Sequence, residues 1–252
     1  MSKLADLIRR TTRAEPERLG FALGQRTTAP SMLLVGLATR NAARSAGDAH
    51  SAGADALLLT GRPKKGELAE VVAAAEALPI GLGLEEVDTA DLEGFRDAGA
   101  DFIALEMRTP ASALLNKDLG FILRLRDDLT DVQLRTLDAL PINAIYVERN
   151  RTPLTIERQL ELRRISGLTR KPLLLTIPPD ATQEHLLSLR ESGVALLGFD
   201  FDAHDADSLR TLRTLVDQLP KHRARRDESQ VSLPTRSASV ARGDEEDEEE
   251  ED

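Results

Sequence analysis

Of 252 residues, 41% are hydrophobic and 30% charged, enough apolar material for a sizeable core, although aromatic residues make up only 3%. The absence of cysteine excludes disulfides, cysteine-ligated metal centres and thiol nucleophiles. The acidic stretch 244–252 carries −9 of the net charge of −10, so the rest of the chain is nearly neutral. No apolar run reaches the roughly 18 residues of a membrane span. Residues 1–20 lack the apolar stretch of a secretion signal, and a cytoplasmic protein is the expectation.

In chain order, residues 1–18 predict an amphipathic helical extension. Leu4, Leu7 and Ile8 share a face, Arg9, Arg10 and Arg13 lie beyond, and Glu15-Pro16-Glu17 ends it. Such a helix suits the floor of a barrel or the surface of a partner subunit. From residue 19 to 220 eight short apolar runs follow: 32–38, 56–60, 80–85, 102–107, 121–125, 144–148, 173–177 and 194–201. They are of strand length. Helically spaced stretches lie between them at 67–78, 89–98, 131–140, 156–166, 183–191 and 208–219, with only a short one at 111–115. Strands alternating with helices imply βαβ units and a parallel sheet, and eight such units in about 200 residues predict a minimal (β/α)8 (TIM) barrel. An open doubly wound sheet is the second choice, weakened because no Gly-x-Gly-x-x-Gly opens the first βα turn. Residues 221–252, a basic stretch, a Ser/Thr/Pro/Arg stretch and the acidic block, predict a disordered tail.

Internal repeats support closure. Ala52-Gly53-Ala54-Asp55 recurs as Ala98-Gly99-Ala100-Asp101, and Ser192-Gly193-Val194-Ala195 is similar. Glycine there ends a helix in the left-handed conformation and turns the chain into the next strand. Leu78-Pro79-Ile80 recurs as Leu140-Pro141-Ile142, with Lys171-Pro172-Leu173 alike; proline stops a helix and opens a strand whose first N–H is not needed. This alternation resembles the aldolase-type and phosphate-binding (β/α)8 barrels of sugar-phosphate and amino-acid metabolism, over roughly residues 30–218. The resemblance implies a functional face at the C-terminal strand ends and glycines after the last two strands to hold a phosphate. Here those places read Ile177-Pro178-Pro179-Asp180-Ala181-Thr182 and Gly198-Phe199-Asp200-Phe201-Asp202. Prolines offer no N–H and aspartates repel a phosphate, which argues against that ligand. Asp180 or Thr182 instead suits a helix N-cap.

Alternation along the strands, with large aliphatics placed toward the helices, puts Gly81, Gly83, Glu85, Ala104, Glu106, Arg124, Ala144, Tyr146, Glu148, Leu196, Gly198 and Asp200 inside, together with Ala38, Thr60 and Thr176. Arg126 is a further inward candidate on the fifth strand. Four carboxylates (Glu85, Glu106, Glu148 and Asp200) then share one mouth with Arg124, with Tyr146 below and Arg40 and Asn41 above the first strand. Three arrangements relieve their repulsion. Glu85, Glu106 and Asp200 would ligate a divalent metal such as Mg²⁺ or Mn²⁺. One carboxylate would stay protonated for acid/base work, with Glu106, Glu148 and Tyr146 as catalytic groups. Or Arg40, Arg108, Arg124, Arg126, Arg149 and Arg151 would neutralise them in a salt-bridge ring, the arrangement given most weight.

Arg40, Asn41, Arg124 and Thr60 are the expected substrate-binding residues, and Arg62-Pro63-Lys64-Lys65-Gly66 is a weaker candidate clamp. No inward lysine serves a Schiff base. Of the four histidines only His204 lies near the mouth. The reading is an enzyme acting on a small polar or anionic metabolite by proton transfer or C–C bond chemistry, of lyase or isomerase type. The alternative is a non-catalytic binding or scaffold barrel. Nucleic acid is not an expected partner, because 27 Arg against 6 Lys with few aromatics reads as composition bias. The N-terminal helix and the acidic tail are the two expected routes to a protein partner or a second copy.

Overall fold

The computed structural model describes residues 2–12, 30–64, 66–126, 128–148 and 154–220. Eight parallel strands close in sequence order: β1 (Leu33–Ala38), β2 (Ala56–Thr60), β3 (Ile80–Gly83), β4 (Phe102–Leu105), β5 (Gly120–Leu125), β6 (Ala144–Val147), β7 (Leu173–Thr176) and β8 (Val194–Asp200). β8 pairs with β1 to complete the ring. The helices are α1 (Lys3–Thr12), α2 (Ala42–Ser51), α3 (Glu67–Ala74), α4 (Thr89–Asp97), α5 (Asp131–Leu137), α6 (Ile156–Thr169), α7 (Gln183–Glu191) and α8 (Ala206–Asp217), with a 3₁₀ turn at Ala111–Leu115. The chain is therefore a (β/α)8 barrel, as its alternation predicts. Among the described residues no helix is long and apolar enough to cross a membrane. The Glu15-Pro16-Glu17 break, Lys65, Arg149, Arg151 and the stretch 221–252 lie outside the described residues.

The repeat glycines do what their position requires. Gly53, Gly99 and Gly193 have φ of 84°, 100° and 90°, the left-handed region open to a residue without Cβ. The residue that follows each turn matters as much. Asp55 N–H donates to the Leu34 carbonyl at 2.8 Å, and Leu34 N–H donates back to Asp55 Oδ2 at 2.8 Å. Asn143, just before β6, repeats this double bond with Phe121, at 2.7 and 2.8 Å. Asp101 makes the same backbone bond, to Ile80 at 2.7 Å, but turns its carboxylate elsewhere. It accepts from Ser2 Oγ at 2.8 Å, Lys3 N at 2.7 Å and Leu4 N at 2.9 Å. That carboxylate sits on the first N–H groups of α1, where unpaired donors and the helix dipole favour negative charge.

α1 closes the barrel floor, one of its two expected roles. Leu4 and Ile8 are buried with the inward residues Leu33, Phe102, Ile122 and Leu196. Phe102 reaches over β3, where a Cβ at Gly81 would overlap its ring, and Gly120 leaves room for Ser2. Large aliphatics such as Leu82, Leu84, Ile103, Leu105 and Val147 face the helices, as expected, but the lower interior is also filled by large apolar side chains, and on β1 the expected facing is reversed. On β1 the inward residues are Leu33, Val35 and Leu37. Ala38 belongs to the outer layer with Ala42, Ala46 and Ala49. A helix lined with alanine packs close, so β1 turns its small side chains outward. Gly36 completes this face, its missing Cβ position lying 2.7 Å from the Phe201 ring.

Candidate functional site

β4, β5 and β6 lie side by side, in register Leu105–Leu123 and Arg124–Tyr146. The residues just past β4 and β6, Glu106 and Glu148, therefore flank Arg124, and Arg126, two residues on, faces the same way. Arg124, whose side chain is 10% exposed, places Nη1 2.9 Å from Glu106 Oε1 and donates from Nε to Glu148 Oε1. Arg126 donates from Nε to Glu148 Oε2 at 2.7 Å and lies 3.1 Å from Glu106 Oε1. Two guanidiniums and two carboxylates form a neutral, partly buried square. Leaving Arg124, Glu106 or Glu148 unpaired, at 10–20% exposure, would cost more than a surface pair contributes, whereas Arg126 is 45% exposed. Of the six arginines expected to neutralise the carboxylates, Arg124 and Arg126 do so here, while Arg40 pairs with Asp202 instead.

Glu85 stands at the rim, 80% exposed and 3.7 Å from Arg126. Asp200 accepts the N–H of Asp202 at 2.9 Å and belongs to its own loop. Glu85, Glu106 and Asp200 are not gathered as a donor set: among the described residues no group of three or more His, Asp or Glu side chains is placed to hold a metal ion. Tyr146 donates to or accepts from Thr176 Oγ1 at 2.8 Å. Burial, above all, pushes its phenol above the ordinary value, the Thr176 hydroxyl drawing it partly back.

Thr60 lines the mouth with Thr39, Glu85, Glu86 and Arg124, around a cavity of about 530 Å³. Arg40 is 76% exposed on the rim. Its N–H and that of Thr39 donate to the Asp202 carboxylate at 3.1 and 2.8 Å, which joins the loop after β8 to the loop after β1. Asn41, at φ 51°, opens α2 without capping it by its side chain. Neither Arg40 nor Asn41 lines the two cavities at Arg124. The Arg62 clamp is committed to Asp91 at 2.7 Å and lies over the Phe95 ring. His204 packs against Phe199, in the layer outside the strands. The usual phosphate positions are taken by the chain itself, since Thr182 and Asp205 cap α7 and α8 with their own side chains.

A larger cavity, about 850 Å³, opens beside the square toward the segments after β3 and β4. Arg124, Arg126 and Glu106 form its polar floor, with Glu85, Glu86, Asp88 and Arg108 on its walls. Val87, Met107, Pro110, Leu125 and Leu129 supply apolar surface. Glu86, Asp88 and Met107 were not singled out from sequence. The acidic run Glu85-Glu86-Val87-Asp88 after β3 was the available signal.

No protein-family model and no curated protein sequence matches the chain. Solved structures do. A variant of the tryptophan synthase α-subunit from Pyrococcus furiosus superposes with a TM-score of 0.58 at 15% identity, covering 75% of this chain and 98% of the other. Phosphoribosyl anthranilate isomerase from Thermus thermophilus gives 0.56 at 12%, covering 73% and 98%. An HpcH/HpaI aldolase from Desulfitobacterium hafniense gives 0.56 at 12%, covering 77% and 95%. At these identities the likeness establishes the (β/α)8 barrel fold alone.

Proposed function

We propose that the protein is a barrel enzyme that moves a proton on a small polar metabolite, with Glu106 as the base and Arg124 and Arg126 stabilising the charge that develops. The observation that carries this reading is the arginine–glutamate square set at the strand ends in the floor of the 850 Å³ cavity. Both oxygens of Glu148 are held by arginine, which suits orientation better than proton transfer. The closest approach of each guanidinium to Glu106 is to Oε1, at 2.9 and 3.1 Å. Held between two guanidiniums at the cavity floor, this carboxylate is positioned to meet a proton of a bound substrate. Fixed guanidiniums beside it would stabilise an enolate or oxyanion without reorganising.

An aldolase and an isomerase among the structural neighbours support lyase or isomerase chemistry as the class, by analogy of fold. The self-capped helices α7 and α8 speak for a substrate without a phosphate. The second reading, a barrel that binds without catalysis, draws on the internal neutrality of the square. The test is incubation of the full chain with a metabolite extract in D₂O, reading deuterium incorporation by mass spectrometry. Uptake into one compound, abolished in Glu106→Gln, supports proton transfer. No uptake into any compound overturns it and leaves the binding reading.

A further inference from the structure

The charges on the cavity walls divide into those the protein has already paired and those it has not. Arg62 is paired with Asp91, and Arg124 and Arg126 with Glu106 and Glu148. Three charged wall side chains form no hydrogen bond or ion pair among the described residues: Arg108 on the segment after β4, and Glu86 and Asp88 on the segment after β3. Glu85 adds a second carboxylate near Glu86, loosely held at 3.7 Å from Arg126. Val87, beside Glu86 in sequence, is buried, and Met107, beside Arg108, is half exposed. The free Arg108 is thus next to exposed apolar surface of the same cavity.

We propose that this cavity takes a zwitterion with an apolar body, such as an apolar α-amino acid, its carboxylate on Arg108 and its ammonium on Glu86 and Glu85. This names the substrate class for the proton-transfer reading and rests on it for the chemistry, though not for binding. A dianionic ligand would gain Arg108 but face two uncompensated carboxylates. A simple amine would gain the carboxylates and leave Arg108 unused. A zwitterion engages both signs, and its alkyl part covers the exposed Met107. A guanidinium takes a carboxylate by two parallel N–H donors, which fixes the ligand's orientation.

The test is calorimetric titration of the full chain with four probes: L-leucine, isoamylamine, 4-methylpentanoate and inorganic phosphate. Leucine is expected to bind at least tenfold tighter than the other three. Arg108→Gln should weaken leucine at least tenfold and leave isoamylamine unchanged. Glu86→Gln should weaken leucine and isoamylamine and leave 4-methylpentanoate unchanged. Both side chains are exposed, so neither substitution threatens folding. Phosphate or 4-methylpentanoate binding as well as leucine, or no probe binding, overturns the proposal. Leucine binding without deuterium uptake from D₂O would remove the catalytic reading and leave this one standing. Deuterium uptake confined to a compound without an ammonium group would do the reverse.

Discussion

Asp55 and Asp101 occupy the same step of the repeat, and each N–H reaches back to a carbonyl at the start of the strand before, yet their carboxylates serve different ends of the chain. Asp55 holds Leu34 N–H and the Arg213 guanidinium, joining β1 to α8. Asp101 holds the first turn of α1. One motif thus secures both the seam of the ring and its floor.

The Asp101 contact predicts how the floor opens. Asp101→Ala removes the acceptor for Ser2, Lys3 and Leu4, and a loss of about 2 kcal/mol in urea unfolding is expected, in the range of a lost charged cap. Amide exchange at Leu4 to Ile8 should speed up well before exchange in β1. Unchanged exchange there would mean that Leu4 and Ile8 seat the helix unaided.

Asp55 carries a pH dependence. Burial, its largest influence, holds the carboxyl above its ordinary 3.8, and the Leu34 amide and Arg213 only partly offset this. A carboxyl raised in the folded state contributes stability that is complete below the unfolded value and is lost as pH rises through the folded one. Asp55→Asn keeps an oxygen for Leu34 N–H, as Asn143 does for Phe121. As pH rises from the ordinary carboxyl value through the raised one, the variant's unfolding midpoint should therefore rise relative to the wild type's. A relative fall would show that the Arg213 pair outweighs burial.

At the mouth, Arg124→Met leaves Glu106 and Glu148 facing each other with only Arg126 between. Removing one partner of a buried ion network typically costs about 3–5 kcal/mol. Adding Glu148→Gln to that variant should recover a good part of the loss. A double-mutant cycle with additive losses would deny the coupling that the square implies.

Tyr146 is the only tyrosine in the chain, so tyrosinate absorbance reports it alone. Its midpoint should lie above the ordinary 10.0, since burial disfavours the phenolate. The neutral phenol contributes stability below the unfolded value, lost as pH rises through the folded one. Thr176→Val, which deletes the hydroxyl that lowers the value, should move the midpoint higher still. A midpoint at or below 10.0 would contradict the dry setting of this ring.

Much of this fold is legible in one-dimensional pattern. The β2 and α7 boundaries match to the residue, and the remaining strands differ by at most two positions at either end. Gly53, Gly99 and Gly193 are readable because a left-handed turn has few tolerable occupants. The facing of β1 is not, because Leu37 and Ala38 are both apolar and the choice depends on how closely the α2 alanines pack. Glu106, Arg124 and Glu148 are legible as a group, since strand alternation and register bring them together. Which charges are satisfied is not, because pairing depends on loop geometry: Arg62 finds Asp91 while Arg108 finds no one. Asp202, which ties the first and last loops, has no signature beyond a run of aspartates.

The floor helix also orders events in time. α1 leaves the ribosome before every strand of the barrel, and its seat is made by strands that come later, with contacts to β1, β5 and β8. Its anchor Asp101 lies about a hundred residues downstream, and β8, which closes the ring, is the last of the eight strands to be synthesised. Leu4 and Ile8 must therefore wait, exposed, through most of translation. The Arg9–Asp6 pair and the polar outer face keep that waiting segment in solution, and the plug is set only when the vessel around it is whole.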